Sequence, residues 1–464
     1  MRKTLPLVLA LALAGCSFTP EYQRPAAPVP TDWPMKVGAG DTAKDAALLA
    51  DWRAFFPDPR LQTLIAAALE HNRDLRIAVG RVDEARALAG IARADRLPTV
   101  DLAAQRAASL TPADLSGTGR QINSQRYDIN LAVVAFELDF WGRVKSLDDA
   151  GRANFLASDY ARQAFRLSLI ADVANAWFSR LELGERLELA QATLKSRDET
   201  RTLVGRRRDV GLAGDLDYLQ ADGAFQNARA EVASLARSQA AAENALRLLV
   251  GSTAFAAEDG KLGQPGLVAE VAAGLPSEVL LGRPDVMAAE QKLIAANANI
   301  GAARAAFLPK IVLTAALGTA SHGLSGLFGA GSGAWNFVPA LRLPLFDSGR
   351  SSDNVDLATA RKTIAVAEYE KTIQQAFREI ADLLAARAQL GEQLQAQEAG
   401  VAAQNQRLKI VDARYRAGVS SHLELLDAQR EQFAAQQSAL AVRRQLLSAS
   451  ASFYKALGGG VAAQ

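Results

Sequence analysis

The chain has 464 residues, of which 49% are hydrophobic and 6% aromatic, and its formal net charge is +2. A near-neutral chain has no basic excess to hold a nucleic-acid backbone, so nucleic acid is excluded as a partner. A single cysteine cannot form an internal disulfide, and three scattered histidines (His71, His322 and His422) predict no metal site.

The first residues predict a secretory signal. A basic start at residues 1–3 is followed by an apolar run over residues 5–14, which is too short to span a bilayer as a helix. The run ends in Leu-Ala-Gly-Cys at Cys16, and this motif resembles a bacterial lipobox. The resemblance implies cleavage before Cys16, a covalent lipid on Cys16 and anchoring in outer-membrane lipid. The alternative is an ordinary signal with an incidental cysteine. No later stretch reaches eighteen apolar residues, so no transmembrane helix is predicted.

The next region predicts a helix, two strands and two further helices. Pro98 stops the first helix, and Asp128-Ile129-Asn130-Leu131 alternates polar and apolar residues as a half-buried strand does. The predicted elements are a helix over residues 59–96, strands over 99–109 and 126–140, a long helix over 143–208 and a returning helix to residue 250.

The rest of the chain predicts the same elements in the same order. Four sequence patterns recur at offsets of about 207 to 211 residues, which indicates a tandem duplication. The recurring pairs are Pro98 and Pro309, Arg143 and Arg350, Gly211 and Gly418, and Gly251 and Gly458. The second set of elements is a helix over residues 285–307, strands over 310–319 and 335–346, a long helix over 350–416 and a returning helix to residue 457.

The two long helices are the main helical prediction. About 66 residues at 1.5 Å each make a rod of roughly 100 Å. Apolar residues spaced alternately three and four apart predict a coiled-coil seam along the first long helix. They are Leu167, Ile170, Ala174, Trp177 and Leu181. Gly211 and Gly418 follow basic residues and predict the turns that end the two rods.

Four strands per chain are too few to close a transmembrane barrel. Open sheet edges in lipid would leave backbone groups unpaired, so strands that cross a membrane require several chains to share one barrel. Three chains would supply twelve strands.

Three motifs resemble one protein family. Residues 52–61 (WRAFFPDPRL), residues 137–143 (ELDFWGR) and residues 283–290 (RPDVMAAE) are similar to TolC-type outer-membrane efflux factors of the OprM/NodT-like lipoprotein branch. The resemblance covers nearly the whole chain. It implies a mixed, mainly α fold with membrane β: a homotrimer with a twelve-strand transmembrane β-barrel and a long coiled-coil α-barrel. It also implies a non-enzymatic protein of the bacterial outer membrane, lipid-anchored with a large periplasmic portion.

The resemblance and the duplication together divide the chain. The predicted segments are a signal peptide (1–15), an N-terminal periplasmic or equatorial segment (16–57), a first efflux repeat (58–251), a linker or equatorial segment (252–276), a second repeat (277–458) and a C-terminal tail (459–464).

The family places its partners and its gate at the two turns. The tips expected to meet a periplasmic adaptor (membrane fusion) protein are Gly211, Leu212, Ala213, Gly418, Val419 and Ser420. The family's periplasmic gate residues align with Tyr415, Leu423, Glu424 and Asp427. Ser420 stands where the family's archetype has an arginine, so the ionic latch differs, with Arg416 or Arg430 as substitutes. Glu424 has an alternative role as the partner of Ser421 in a helix capping box. The alternative for Asp427 is that it is a solvated acid near a helix start.

The sequence therefore predicts a passive exit duct for drugs or other small molecules, driven by an inner-membrane pump. No catalytic arrangement and no nucleotide-binding motif stand out, and no cofactor is expected beyond the lipid on Cys16. Two alternatives remain: the exit duct of a type I-like secretion system, and a non-conducting coiled-coil lipoprotein that tethers the envelope. The tether needs no strands, and the alternating segments before each Gly-Arg argue against it.

Overall fold

A computed structural model describes residues 18–34, 51–252, 260–263, 268 and 277–459. The predicted signal, Cys16, most of the linker over 252–276 and nearly all of the tail over 459–464 lie outside these residues. Eight α-helices are described: α1 (Trp52–Phe55), α2 (Pro59–His71), α3 (Arg73–Ala94), α4 (Arg143–Asp209), α5 (Asp215–Val250), α6 (Pro284–Ala305), α7 (Arg350–Arg416) and α8 (His422–Ala456). Of these described helices, none is both long and apolar enough to cross a membrane.

Four strands form one antiparallel sheet in the order β1-β2-β3-β4. They are β1 (Val100–Thr111), β2 (Ile122–Glu137), β3 (Lys310–Ser321) and β4 (Gly333–Arg342). Short 3₁₀ turns cover Ser277–Gly282 and Leu324–Gly326. β1 and β4 are therefore the two edges of this sheet.

One face of the sheet is apolar and exposed. Register places four large apolar side chains in a single row across all four strands. The row is Leu102, Leu131, Leu317 and Trp335, and each of its members is exposed. The neighbouring row on the opposite face holds Asp101, Ala132, Ala316 and Asn336. Large exposed apolar surface that no described residue covers marks a site of contact with a partner or a lipid.

Two predicted strands end earlier than expected. The sequence extended them to residues 140 and 346, but β2 ends at Glu137 and β4 at Arg342. β4 ends where its partner strand begins, since Arg342 lies opposite Lys310, the first residue of β3. Beyond the two strands, Asp139 and Asp347 accept hydrogen bonds from the first turns of the long helices. Asp139 Oδ2 accepts from the backbone N–H of Lys145 at 2.7 Å, and Asp347 Oδ2 from that of Ser351 at 2.9 Å. Both aspartates therefore start helices.

The single helix predicted over residues 59–96 is wrong, because Asn72 divides it into α2 and α3. Asn72 has ψ of 130°, outside the helical range. Its side chain satisfies two backbone groups: Oδ1 accepts from Leu75 N–H at 2.9 Å, and Nδ2 donates to the Leu249 carbonyl at 2.8 Å. Asn72 is thus an N-cap for α3 and a tie to the end of α5.

The structure divides into two compact units. Among the described residues, the first contains 18–26, 81–159 and 288–369, and includes the whole sheet. In it, Glu290 binds the N-terminal segment: Arg24 donates to both carboxylate oxygens at 2.6 and 2.7 Å, and Tyr22 Oη donates at 3.1 Å. Burial, together with the Glu290 charge, raises the pKa of Tyr22. Glu290 of the RPDVMAAE motif therefore fixes the N-terminal segment on α6.

The second unit contains the described residues within 27–80, 160–287 and 370–459, and includes both helix turns. The five predicted seam residues from Leu167 to Leu181 are all buried in it. Phe55 packs on Tyr454 with ring centroids 4.8 Å apart. Arg283 is buried, where it pairs with Asp285 at 2.8 Å and Glu379 at 2.9 Å and donates to the Ala456 carbonyl at 2.7 Å. Arg283, the first residue of the RPDVMAAE motif, thus binds the end of α8, and Asp285, the third, pairs with Arg283.

Candidate functional site

The two helical hairpins turn at the predicted glycines. Gly211 joins α4 to α5 and Gly418 joins α7 to α8, with φ of +77° and +75°. This left-handed conformation is open to glycine without steric strain. The following N–H groups close the turns: Leu212 N–H donates to the Arg207 carbonyl at 2.7 Å, and Val419 N–H to that of Arg414 at 2.9 Å. Both hairpins therefore end in the glycine-terminated motif that caps helix C-termini.

The tips present apolar side chains to solvent. Leu212 is 77% exposed and Val419 68% exposed. Gly211 and Gly418 are also exposed, whereas Ala213 and Ser420 are half-buried. The six predicted adaptor-contact residues thus comprise four that are exposed and two that are half-buried.

Tyr415 connects the two hairpins of one copy. Arg207 of α4 donates to Tyr415 Oη at 3.4 Å, and its guanidinium carbon lies 5.6 Å from the Tyr415 ring centroid. The ring also packs beside His422, with centroids 5.7 Å apart, and against a small cluster of buried residues. That cluster is Val411, Leu425 and Ala428. Tyr415, which the sequence assigned to the gate as a residue of α7, thus also contacts α4 of the other hairpin.

Asp427 is held by two arginines. Its Oδ2 accepts from Arg407 Nη2 of α7 at 2.6 Å, and its Oδ1 from Arg430 Nη2 of α8 at 2.7 Å. The Asp427 side chain is 37% exposed, so water screens these pairs in part. Asp427 therefore spans the second hairpin from α8 to α7 with its negative charge compensated.

Glu424 and Leu423 differ from Asp427, since both are exposed. The backbone N–H of Glu424 donates to Ser421 Oγ at 3.3 Å, which is the N-cap half of the predicted capping box. Of the two arginines predicted as latch substitutes, Arg430 contacts Asp427, whereas Arg416 pairs with Asp412 at 2.9 Å. The two predicted gate acids are therefore unequal, one bound to arginines and the other facing solvent.

A buried histidine and a buried arginine lie near these residues. His422 and Arg197 are 7% and 8% exposed. Burial lowers the pKa of His422, the Asp217 charge raises it, and the Arg197 charge lowers it further. Within the described part of the chain, neither His422 ring nitrogen has a hydrogen-bond partner. The structure thus favours a neutral His422 beside the predicted gate.

Sequence reasoning named Arg430 but missed Arg407 and Arg207, the other two arginines that contact predicted gate residues, although the sequence contains a signal for Arg407. Arg407 precedes the turn glycine Gly418 by eleven residues, and Asp427 follows it by nine. The first hairpin has a similar pair, Arg201 and Asp222, ten residues before and eleven after Gly211, with N and O atoms 3.4 Å apart. Opposite charges at matching distances from a turn predict contact across an antiparallel hairpin.

Comparisons with known proteins give one consistent result. Residues 64–252 and 275–459 each match the family described as outer membrane efflux protein. The toluene efflux pump outer membrane protein TtgF of Pseudomonas putida is 45% identical, over 98% of this chain and 96% of its own length. Outer membrane protein OprJ of Pseudomonas aeruginosa is also 45% identical, over 98% and 95%. The open state of the Neisseria gonorrhoeae MtrE outer membrane channel superposes with a TM-score of 0.87 at 37% identity, over 96% and 99%.

Proposed function

This chain belongs to the outer membrane efflux protein family, and on that ground we propose that it forms the passive exit duct of a tripartite efflux system. The family consists of outer-membrane transport components, and we expect no enzymatic activity. Drugs or other small molecules would leave through the duct, and an inner-membrane pump would supply the energy. Because the P. putida relative is named for toluene efflux, apolar solvents are one substrate class to test.

The sheet supports the channel most directly. Its row of Leu102, Leu131, Leu317 and Trp335 offers an exposed apolar face, while the opposite face is small and polar. Alternation of this kind suits strands with lipid on one side and water on the other. The unpaired edges of β1 and β4 need neighbours, and three copies would close twelve strands into a barrel. The same order of elements in both halves supports a tandem duplication.

Solution mass and conductance together test this proposal. Purified protein in detergent should have the mass of a trimer, and planar bilayers containing it should conduct ions. A monomer without conductance would favour the envelope tether. A trimer that conducts yet exports only polypeptides in cells with a matching pump would favour the secretion duct.

The second hairpin is the proposed periplasmic gate. In a trimer, Tyr415, Leu423, Glu424 and Asp427 from each copy would surround the entrance. The Asp427 pairs with Arg407 and Arg430, and the Tyr415 contact with Arg207, would hold the hairpin in its closed position within each copy. The exposed Glu424 would form a ring of three carboxylates, which mutual repulsion keeps from narrowing unless cations compensate.

The hairpin tips are the proposed contacts with the adaptor protein, and Cys16 is the proposed lipid anchor. Exposed Leu212 and Val419 would dock a periplasmic adaptor protein through their apolar surface. A lipid on Cys16 would anchor the chain in the outer membrane. Metabolic labelling with palmitate should mark the wild type and not Cys16→Ser. Labelling of the variant would contradict the anchor without affecting the channel proposal.

A further inference from the structure

A cavity of about 560 Å³ lies between helices α4, α5 and α8 in the second unit. The predicted gate residues Leu423 and Asp427 line it from α8. Much of the remaining wall is apolar, including Ala228 of α5 and Leu426 and Phe433 of α8. A cavity of this volume, with apolar side chains beside several polar and charged ones, has the dimensions of a small-molecule site.

Of the two arginines that line this cavity, Arg430 pairs with Asp427, whereas Arg197 has no ion-pair partner among the described residues. It lines the wall from α4, it is only 8% exposed, and its Nη1 is buried without a hydrogen-bond partner. No acid lies within ion-pair distance of Arg197 in the part of the chain that the structure describes. Burial alone lowers its pKa. Buried cations are normally paired because desolvation disfavours an isolated charge, so Arg197 lacks the anion that its burial calls for.

The acids near the cavity are already engaged or solvated. Both carboxylate oxygens of Asp427 accept from arginines, Arg407 and Arg430. Glu231 is half-buried and accepts from Gln437 Nε2 at 3.5 Å. Neither carboxylate pairs with Arg197, so an occupant of this cavity would bring its own negative charge.

We propose that this cavity binds a small amphipathic organic anion. A carboxylate would pair with the Arg197 guanidinium, whose planar fork matches its two oxygens. The apolar body of the ligand would lie against Ala228, Leu426 and Phe433. The site is additional to the duct, and its occupation would place a ligand directly behind the predicted gate residues on α8.

Binding can be measured without conductance. Full-length protein in a non-ionic detergent is titrated with 4-(trifluoromethyl)benzoate, and the fluorine NMR signal of the probe is followed. The neutral isostere 4-(trifluoromethyl)benzamide serves as the paired probe, because it keeps the apolar body and loses the charge. We expect saturable binding of the benzoate at least tenfold tighter than that of the benzamide.

Two variants locate the site. Arg197→Met removes the charge and keeps the apolar stem, and Ala228→Phe fills the cavity while Arg197 stays in place. Each should weaken benzoate binding at least tenfold, whereas Arg229→Met, which removes an exposed arginine outside the cavity, should leave it unchanged. If Arg197→Met does not fold, the binding of benzoate to Ala228→Phe and the comparison of benzoate with benzamide test the site.

Three results would overturn the proposal: no saturable binding by the wild type, equal binding of the two probes, or undiminished binding in either folded cavity variant. A trimer that conducts yet binds no benzoate would overturn this site alone. A protein that binds benzoate but forms no conducting trimer would overturn the channel and leave the site standing.

Discussion

At the scale of single residues, Asp427 carries two ion pairs within one copy of the chain. Each partly exposed pair contributes about 0–1 kcal/mol, so in the proposed gate the two together would stabilise the closed hairpin modestly. Asp427→Ala should therefore raise single-channel conductance or open probability in planar bilayers. Glu424→Ala removes no ion pair between described residues and relieves repulsion in the proposed carboxylate ring, so alone it should raise neither quantity. The double variant should exceed the wild type.

Asp412→Ala is the matched control for this measurement, since it removes an acid that pairs with Arg416 instead. Its conductance should equal that of the wild type. Wild-type conductance in the Asp427→Ala, Glu424→Ala double variant would remove both acids from the gate.

His422 predicts a pH dependence of stability at the tips. Because burial lowers its pKa in the folded state, the unfolded state binds the proton first as the pH falls below about 6.5. After correction for the intrinsic slowing of amide exchange at lower pH, hydrogen exchange near α8 should therefore accelerate between pH 7 and pH 5.5. Two charges face His422: Asp217 on α5 raises its pKa, and Arg197 on α4 lowers it.

His422→Phe should abolish this acceleration, since phenylalanine does not titrate. His322→Gln, a change at an exposed histidine between β3 and β4, should leave it intact. Equal pH dependence in His422→Phe and the wild type would assign the effect to other groups.

Arg283 predicts a large loss of stability. Its guanidinium is buried and binds Asp285, Glu379 and a backbone carbonyl. Arg283→Ala leaves these groups without their cation, and we expect a loss of about 3 kcal/mol. Thermal unfolding followed by circular dichroism should show a clear drop in Tm. Arg378→Ala, at an exposed pair with Asp382, should change Tm little; equal effects would contradict this role of Arg283.

At the scale of elements, the sheet face can be tested with two adjacent residues of β2. Leu131 lies in the exposed apolar row and Ala132 in the small, polar row on the opposite face. An arginine on a lipid-facing strand position costs about 2–4 kcal/mol near the bilayer centre. Leu131→Arg should therefore reduce the amount of folded trimer in outer-membrane fractions, and Ala132→Arg should reduce it far less. Equal losses would contradict a lipid-facing row.

Helix ends were easier to predict than strand ends, for a physical reason. The long helices begin and end within one residue of the prediction because glycine turns and the absence of proline act locally. Asn72, which divides a periodic helix, combines a local N-cap bond to Leu75 with a hydrogen bond to Leu249, 177 residues away in sequence. A bond between such distant residues leaves no trace in local periodicity.

In the candidate site, too, local features could be predicted from the sequence and long-range contacts could not. Capping by Ser421 follows from adjacent residues, so the sequence predicted it. The Arg207 contact with Tyr415 joins residues 208 apart on two different hairpins, so it depends on how those hairpins pack. Arg197 resembles any helical arginine in the sequence, and only its burial in the structure distinguishes it.

At the scale of the whole molecule, strand counting required an oligomer, and family resemblance supplied the number three. Counting four strands needs only local patterns, whereas the number of copies depends on strand tilt and closure in the assembled barrel. The solution mass of the protein in detergent therefore tests the proposed trimer.

The open edges of the sheet have a genetic consequence. If β1 of each copy pairs with β4 of the next, every copy completes the wall for two others. A copy with a damaged edge would disable any ring that it enters. With equal expression of intact and damaged chains, only about one trimer in eight would contain three intact copies. Edge mutations should therefore be dominant, whereas a chain that never folds should be recessive.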